Sequence, residues 1–449
     1  MRRLAVSAMS AARKYGDVGR RDDMKSGPAK IGAKIRWRLI VPTVLFMLLS
    51  SVDRVNVSFA ALQMNADLGF TPSQYGFGAG ILFVGFLAGQ YPSVLLLQRI
   101  GFHRWLAACA LLWGGCAGAM AFIDSHAEFY TLRVLLGFAE GGLAPGIVLY
   151  LSQFATERER ATTFAMPMLA IPISIVIGGP ISGALMGMDP PFGLAGWRWM
   201  FLGEALPTLI FAVTAWFYFP DRPDDAAWLD DEERTWLSRN AANRQETARS
   251  NDWSVLRQPL VWASAALWFC LLSGSYGIIF WLPQMVKQLT ILTPFEIGLV
   301  NALPWIANAI GIYIGATSSD RTGERFWHIA APAAAMAVAV LTAAALGASP
   351  GGLVALVVAG LCLGTAQGAF WALPTRLFTP ATFAVGAVAI NITGSSGGLV
   401  VPWLVGLVRE RSSGFWAPTV LIAGFLLTAA IIVLVLRAVI RDRAAPAAA

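Results

Sequence analysis

Charge is scarce in this chain: Asp, Glu, Lys and Arg make up 13% of its 449 residues, about half the usual share in a soluble protein. Hydrophobic residues make up 57%. A soluble chain of this length would have too little polar surface to cover itself, so the composition predicts a protein surrounded largely by lipid. It argues against a cytoplasmic enzyme, a disordered linker and a nucleic-acid-binding domain, and we expect no nucleic-acid partner.

Cysteine and histidine are also scarce, with four and three residues respectively. The cysteines lie in apolar runs without CxxC spacing, and the histidines form no ligand pair, so neither a disulfide framework nor a metal site is predicted. Nucleophile-elbow, zinc-protease, P-loop and dinucleotide-binding motifs are missing from the sequence. We therefore expect no enzymatic activity, no catalytic residues, no cofactor and no metal.

Long apolar runs are abundant. A bilayer-spanning helix needs about 20 mostly apolar residues, and the sequence contains twelve such segments, near 37–60, 75–97, 105–123, 129–153, 161–187, 198–219, 260–286, 295–317, 327–347, 352–376, 382–407 and 416–439. The predicted fold is an all-α membrane protein with twelve transmembrane helices.

A polar stretch divides these helices into two groups of six. The predicted organisation is a basic tail over 1–36, a six-helix bundle over 37–219, a linker over 220–258, a second bundle over 259–440 and a tail over 441–449. In the linker, Trp228, Leu229, Trp236 and Leu237 recur at near-helical spacing among charged residues. This pattern predicts an amphipathic helix lying under the membrane face.

The basic residues are distributed unevenly between the two predicted membrane faces. Of the 33 Lys and Arg residues, 27 fall on the face that carries both termini and four fall on the other. Because cytoplasmic loops carry the excess of Lys and Arg, both termini are predicted to be cytoplasmic. The same excess of positive charge would face anionic lipid and explains the basic isoelectric point.

The two halves share an internal repeat. Three pieces of the first half recur at offsets of 222 to 227 residues: Thr71-Pro72-x-x-x-Gly76 as Thr293-Pro294-x-x-x-Gly298, Arg99-x-Gly101 as Arg321-x-Gly323, and Gly137-Phe-Ala-Glu140-Gly141 as Gly364-Thr-Ala-Gln367-Gly368. The repeat predicts two bundles related by an axis along the membrane normal. A binding site between them at mid-membrane follows from that arrangement.

Ionisable residues within the predicted spans mark the candidate site. We identify four of them: Asp53 and Arg54 in helix 1, and Arg133 and Glu140 in helix 4. A charge at mid-bilayer costs at least about 2.5–3.5 kcal/mol and normally faces a cavity or a partner. Asn56 shares a helix face with Asp53. Two buried ion pairs that only fix helix packing are the alternative, although such pairs stabilise poorly compared with apolar replacements.

The charge balance of these four residues predicts coupling between an anion and a proton. Two acids and two arginines sum to zero, so a bound organic anion would leave the cavity negative until one acid is protonated. Glu140 is the preferred proton carrier because nothing basic lies within one turn of it, whereas Asp53 is adjacent to Arg54 and has Arg133 as a candidate partner.

The second half contributes neutral groups to the candidate site. Its candidate substrate contacts are Tyr276, Gln367, Trp371 and Asn391. Gln367 takes the place that Glu140 holds in the first half. Each of these side chains could equally serve packing alone, and Asn391 is the preferred contact because it is an amide in the middle of a span.

The repeat, the twelve spans and the central linker resemble the major facilitator superfamily. The loop after helix 8 carries a cytoplasmic signature as Asp320-Arg321-Thr322-Gly323-Glu324-Arg325, and the loop after helix 2 carries a degraded copy with Arg99 and Gly101, in which Gln98 stands where an Asp is usual. The resemblance implies that Arg99, Gly101, Asp320, Arg321 and Gly323 form a cytoplasmic gate.

Four segments resemble the anion:cation symporter family more narrowly: VDRVNVSFAALQMNADLGF, RVLLGFAEGGLAPG, YGIIFWLPQMV and FWALPTRLF. That family includes permeases for tartrate, phthalate, 4-hydroxyphenylacetate and sugar acids. The resemblance implies that Arg54 binds the substrate carboxylate, that Asp53 and Glu140 are the proton-coupled acids with Arg133 as their switching partner, and that Asn391 contacts substrate. Asn56 is included among the binding residues.

We therefore predict a bacterial inner-membrane transporter that imports an organic carboxylate with protons by alternating access, functioning as a monomer in lipid. In the helix 5 stretch AMPMLAIPISIVIGG, Ser174 is the only residue with a side-chain hydrogen-bonding group. This favours a small diacid or an aromatic acid over a polyhydroxylated sugar acid. A drug/proton antiporter or exporter is the main alternative, and a membrane-embedded enzyme or a passive channel fits the sequence less well.

Overall fold

The computed structural model describes residues 28–154, 170–188, 193–235, 237, 252–289, 292–347, 349–412 and 414–444. Across these ranges the chain is helical and contains no strand. Eleven helices within them are long and apolar enough to cross a membrane, and a shorter apolar helix lies between the fourth and fifth of these. The first of them, Lys30–Asp67, includes a π-helical turn, Arg36–Ile40, and most of the short helix Pro28–Ile35.

The first bundle contains six membrane helices. They are α1 (Val41–Val55 and Val57–Asp67), α2 (Pro72–Ile100), α3 (Phe102–Ala119), α4 (His126–Glu140 and Leu143–Phe154), α5 (Ala170–Gly187) and α6 (Gly196–Tyr218). The predicted segments are confirmed as helices, with α1 extending seven residues beyond its predicted end. The predicted start of α5, over 161–169, lies outside the described residues.

The second bundle repeats this arrangement. Its helices are α7 (Pro259–Leu289), α8 (Pro294–Thr322), α9 (Trp327–Leu346), α10 (Pro350–Phe370, followed by the short helix Pro374–Leu377), α11 (Pro380–Glu410) and α12 (Trp416–Ala444). The predicted fold of two six-helix bundles is thus confirmed. We call the membrane face at which α1 begins and α12 ends the terminal face, and the other the opposite face.

The internal repeat appears as matching helix ends. Thr71 and Thr293 each cap a helix with a capping box and are each followed by proline at the first helical position. Such caps satisfy backbone N–H groups that the helix start leaves free. At the other ends of α2 and α8, Gly101 and Gly323 adopt positive φ angles of 85° and 69°, which glycine accepts without steric cost. The repeated motifs therefore define the two ends of equivalent helices.

Glycines bring α2 and α4 into backbone contact. A Cβ added to Gly137 or Gly141 would collide with the backbone of α2 at Leu82 or Phe86, so these positions hold the two helices close. The close approach predicted for Gly137 and Gly141 is confirmed. In the second bundle, Gly364 and Gly368 of α10 pack against the backbone of α8 in the same way.

Two membrane helices are interrupted beside their charged residues, which the sequence analysis did not predict. Helix α4 breaks at Gly141 and Gly142, immediately after Glu140. Pro145 lacks the N–H that would bond the carbonyl of Gly141, which explains the break. Helix α1 breaks at Asn56, where the Ser58 hydroxyl donates to the Val55 carbonyl at 2.7 Å, a bond of the kind that bends helices.

The two bundles pack tightly against each other toward the opposite face. Gly76 and Gly80 of α2 meet the backbone of Pro402 and Leu399 in α11, and Gly183 of α5 meets that of Pro294 in α8. Hydrogen bonds across this seam join Tyr75 Oη to the Phe280 carbonyl at 2.7 Å, the Ser73 N–H to Glu410 at 3.3 Å, and Lys287 Nζ to the Leu62 carbonyl. The opposite face is therefore closed.

The motifs of the predicted gate lie at the terminal face. Arg99, Asp320 and Arg321 are exposed there. Asp320 pairs with Arg325 of its own loop at 2.7 Å. In the degraded copy, Asp221 fills the space beside Gly101 and accepts from the backbone N–H of His103 at 3.2 Å, so the carboxylate missing at Gln98 is replaced by one from the linker.

The predicted amphipathic helix of the linker is described only in part. Residues 231–235 are helical, and Leu229 and Leu237 are buried. Glu233 receives the Lys34 ammonium on both carboxylate oxygens, at 2.9 and 2.8 Å, which ties the linker to the helix preceding α1. Trp236 and residues 238–251 lie outside the described part of the chain.

Candidate functional site

An ion pair joins α1 to α4 near the middle of the membrane. Arg54 donates from Nε and Nη2 to the same carboxylate oxygen, Oε2 of Glu140, at 3.0 and 2.9 Å. Glu140 is fully buried, whereas the Arg54 side chain is 19% exposed. The guanidinium also lies over the ring of Phe86, 5.0 Å from its centre, a favourable cation–π position. The Arg54 guanidinium is thus partly accessible, and the anion that it binds in this structure is the Glu140 side chain.

Arg133 is buried, and among the described residues it bonds carbonyl oxygens and no acid. Its guanidinium donates to backbone carbonyls, to Gly78 at 3.3 Å, to Ala79 at 3.1 Å and to Arg54 at 3.5 Å. Its charge still acts on Glu140 electrostatically. Arg133 therefore fixes α4 against α2 and against the backbone of α1 at Arg54. The predicted role of Arg133 as a switching partner stays a prediction.

Asp53 points away from Arg54, toward α3 and α6. Its Oδ2 accepts from Nε1 of Trp113 at 2.7 Å and from the Thr208 hydroxyl at 3.1 Å. Consecutive residues of a helix project about 100° apart, which is why Asp53 and Arg54 face different helices. The candidate pairing of Asp53 with Arg133 is not the one formed here, since both partners of Asp53 are neutral donors.

Glu204 of α6 is a buried acid that the sequence analysis missed. Its Oε2 accepts from Nδ2 of Asn56 at 2.8 Å, and its Oε1 accepts from the Ser182 hydroxyl at 2.6 Å. Asn56 is 1% exposed, so in this state its amide faces α6. The count of four ionisable residues within the predicted spans was wrong. Glu204 lies well inside the predicted span 198–219 and was left out of that count.

The missing acid changes the charge balance of the site. Three acids (Asp53, Glu140, Glu204) and two arginines (Arg54, Arg133) sum to −1 when all are ionised, not to zero as the sequence analysis assumed. Among the residues that the structure describes, Glu140 is the one of these acids that receives a hydrogen bond from a cation. An ionised buried acid without a cation is costly, so three ionised acids are unfavourable in this arrangement.

Residues of the second bundle approach the same level of the membrane. Tyr276 of α7 packs its ring against Phe83 of α2, with centroids 4.7 Å apart. The Phe83 ring in turn lies 6.2 Å from that of Phe86, over which the Arg54 guanidinium lies. Asn391 is exposed and lies seven and eleven residues before Gly398 and Pro402, whose face of α11 packs against α2. Asn391 lies on the same face of α11, but α2 does not cover the helix there. Asn391 therefore lies on the surface between the two bundles.

Gln367 and Trp371 contact residues of their own bundle. Nδ2 of Asn308 in α8 donates to Oε1 of Gln367 at 3.4 Å, and the Trp371 ring lies 5.6 Å from that of Trp268. Both side chains are partly exposed. The structure thus brings Arg54, Glu140 and Tyr276 close together. It places Gln367 and Trp371 against residues of the second bundle, leaves Asn391 exposed, and directs Asp53 and Asn56 toward other helices of the first bundle.

Comparison with known proteins places this chain among transporters. Residues 43–402 match the family model of the Major Facilitator Superfamily. A protein of Agrobacterium vitis named "Putative tartrate transporter" is 39% identical over 417 residues, which are 91% of each chain. A protein of Acinetobacter baumannii named "Quinolone resistance transporter" is 34% identical over 403 residues, which are 88% of this chain and 93% of the relative.

Solved structures share the fold. The crystal structure of a bacterial homologue of the human lysosomal transporter Spinster, in an inward-facing and unoccupied conformation, superimposes with a TM-score of 0.77. It is 16% identical, and the match covers 89% of this chain and 96% of that one.

Proposed function

Because the chain belongs to the major facilitator superfamily, whose members are transporters, we propose that it carries an organic carboxylate across the bacterial inner membrane together with protons. The observation that carries the proposal is the Arg54–Glu140 pair. Arg54 is the partly exposed member of that pair, and a guanidinium binds carboxylates with two donors in a fixed geometry. A substrate carboxylate can therefore take the place of Glu140 on Arg54.

Displacement of Glu140 supplies the coupling to protons. Once Arg54 turns to the substrate, the fully buried Glu140 loses the two hydrogen bonds that Arg54 donates to it. A carboxylate left without that partner in a dry site binds a proton. Substrate binding and protonation of Glu140 are thereby linked, and the linkage is reciprocal: protonation frees Arg54 for substrate.

The closed opposite face supports alternating access. If the termini are cytoplasmic, as the distribution of basic residues predicts, this structure is the inward-facing state. The exposed gate motifs at the terminal face fit a passage open on that side. Reorientation would then separate α2 from α11 and α5 from α8, whose contacts close the opposite face.

The substrate is proposed to be a small diacid or an aromatic acid. In α5, Ser174 is fully buried and Ser182 is engaged by Glu204, so α5 contributes little polar surface for a polyhydroxylated ligand. The tartrate name of the Agrobacterium relatives fits a small dicarboxylate. The quinolone name of another relative keeps drug export as the second candidate, since quinolones also carry a carboxylate that Arg54 could bind.

Uptake measurements on proteoliposomes test this proposal. We expect labelled tartrate or an aromatic carboxylate to accumulate when an inward proton gradient is imposed, and to equilibrate without accumulation when the gradient is collapsed by an ionophore. A quinolone and a cationic drug serve as comparison substrates. Accumulation of the cationic drug alone, or uptake of every acid at a rate unaffected by the gradient, would refute proton-coupled carboxylate transport.

Cross-linking across the closed face tests alternating access. The Ser73 N–H bonds the Glu410 carboxylate at 3.3 Å, so Ser73→Cys and Glu410→Cys, in a background without the four native cysteines, should react with a short bifunctional thiol reagent. We expect the cross-linked double variant to lose transport and each single variant treated alike to keep it. Full transport by the cross-linked protein would show that this face does not need to open.

A further inference from the structure

We propose that Glu204 is a second proton-binding group of the transport cycle, acting as a pair with Asp53 across the contact between α1 and α6. This proposal rests on the function proposed above and adds to it a proton site on the side of α1 that does not face Arg54. The cycle would then carry two protons for each substrate: one linked to Glu140 and one held by Asp53 and Glu204.

The two acids are linked by a pair of reciprocal hydrogen bonds. Asp53 accepts from Thr208 of α6, and Glu204 of α6 accepts from Asn56 of α1. Asp53 and Asn56 are three residues apart on α1, and Glu204 and Thr208 are four apart on α6, so each helix presents one acid and one neutral donor on a single face. The carboxyls are therefore separated by about one helical turn, roughly 5–6 Å along the axes.

In the part of the chain that the structure describes, both acids accept hydrogen bonds from neutral donors alone. Besides Thr208 and Asn56, the donors are Trp113 and Ser182. Oδ1 of Asp53 is buried and has no hydrogen-bond partner among the described residues, a poor arrangement for an ionised carboxylate. Two like charges about one helical turn apart in a buried site repel each other, so ionisation of both carboxyls is unfavourable. The geometry is thus that of an acid pair suited to hold a proton.

Charged groups on the packed helices do not neutralise the pair. On α1 the acids Asp53 and Asp67 face α6, and Asp67 is occupied by the indole N–H of Trp197 at 2.7 Å. The described part of α5 has no ionisable side chain. Along α3, His103 and Arg104 lie at the terminal-face end, and Cys109 and Cys116 are the other titratable groups. Arg198 of α6 lies at the opposite face, where it pairs with Asp124. The Glu140 carboxylate is negative like that of Glu204, so it repels an ionised Asp53 instead of neutralising it.

Helix α1 connects this acid pair to the substrate site. Asp53 and Arg54 are neighbours in sequence, and the interruption of α1 lies at Asn56, the residue bonded to Glu204. Loss of the shared proton would place two charges between α1 and α6 and push the helices apart at the break. Arg54 would move with α1, so the state of the acid pair would bias which conformation of the substrate site forms.

The test is the proton:substrate ratio of Glu204→Gln in proteoliposomes. Glutamine keeps an acceptor for Asn56 and a donor toward Ser182, so it mimics the protonated acid. The ratio is read from the steady accumulation of substrate as a function of the pH gradient at zero membrane potential. We expect net uptake to persist and the accumulation ratio at a gradient of one pH unit to fall about tenfold, the factor that one proton contributes. Glu232→Gln, an exposed acid of the linker, is the matched control.

The outcomes separate this proposal from the proposed function. A wild-type ratio and pH profile in Glu204→Gln, with an unchanged melting temperature, would overturn the role of Glu204 and leave coupling through Glu140 intact. Loss of substrate exchange in the folded variant would also overturn it, because a mimic of the protonated acid should still exchange substrate. If the wild-type protein itself shows no dependence on the proton gradient, the proposed function fails as a whole.

Discussion

Replacing Arg54 by alanine should weaken substrate binding strongly, because the guanidinium that binds the substrate carboxylate is lost. Truncating one partner of a buried, hydrogen-bonded charge pair costs about 2–5 kcal/mol, so substrate affinity should fall between about 30-fold and about 4000-fold. Arg54→Lys should also bind weakly, because an ammonium keeps the charge and loses the two-donor geometry that Nε and Nη2 provide. Binding is measured by calorimetry or by protection against thermal unfolding.

The double variant distinguishes a binding defect from a folding defect. Arg54→Ala leaves Glu140 buried without its cation, so the melting temperature should fall. Adding Glu140→Gln removes that uncompensated charge, and the melting temperature should recover while binding does not. Arg411→Ala, an exposed arginine near the end of α11, is the control. Wild-type affinity in Arg54→Ala would refute the assignment of Arg54 to the substrate carboxylate.

Replacing Glu140 by glutamine should leave exchange intact and abolish net accumulation. With substrate bound, Arg54 already has an anionic partner, so the loaded carrier of the variant can reorient and exchange labelled for unlabelled substrate. After substrate leaves, Arg54 has no carboxylate to turn to, and a dry state with an unpaired guanidinium is costly. The empty carrier therefore cannot return, and net uptake stops.

Transport and the pH dependence of substrate affinity are the two properties to measure in Glu140→Gln. Counterflow into substrate-loaded proteoliposomes should continue, while net uptake into substrate-free proteoliposomes should stop even when a proton gradient is imposed. Substrate affinity, which should weaken as pH rises in the wild-type protein because Glu140 competes for Arg54, should become independent of pH. Glu128→Gln, an exposed acid at the start of the same helix, should behave as wild type. Gradient-driven accumulation by Glu140→Gln would show that the empty carrier returns without Glu140 and would refute its role.

Local signals made the membrane helices predictable. Apolar length fixed the spans, and Thr71-Pro72 and Thr293-Pro294 marked helix starts because a capping box needs only residues that are close in sequence. The interruption of α4 also had a local signal, Gly141-Gly142 followed by Pro145, which hydropathy alone does not detect. Glu204 had the clearest unused signal, since a carboxyl inside the run GWRWMFLGEALP is as exceptional as Asp53 or Glu140.

Pairing between the charged residues depended on information that the sequence does not contain. The positions of Asp53, Arg54, Arg133 and Glu140 were evident, but which cation meets which acid depends on the rotation of α1 against α4. A difference of one residue turns a helical side chain by about 100°, enough to direct Arg54 to Glu140 and Asp53 to α6. Which membrane face is closed could not be predicted either, because a transporter sequence has to support more than one arrangement of its bundles.

The most direct test of the account is whether substrate binding takes up a proton. Purified protein in a weakly buffered detergent solution near pH 8 is mixed with saturating substrate anion, and the pH change is recorded alongside calorimetric binding. We predict uptake of about one proton for each substrate bound, because displacement from Arg54 leaves Glu140 to bind a proton. The uptake should vanish in Glu140→Gln. Full substrate binding by the wild-type protein with no proton uptake, or with release of protons, would contradict the account.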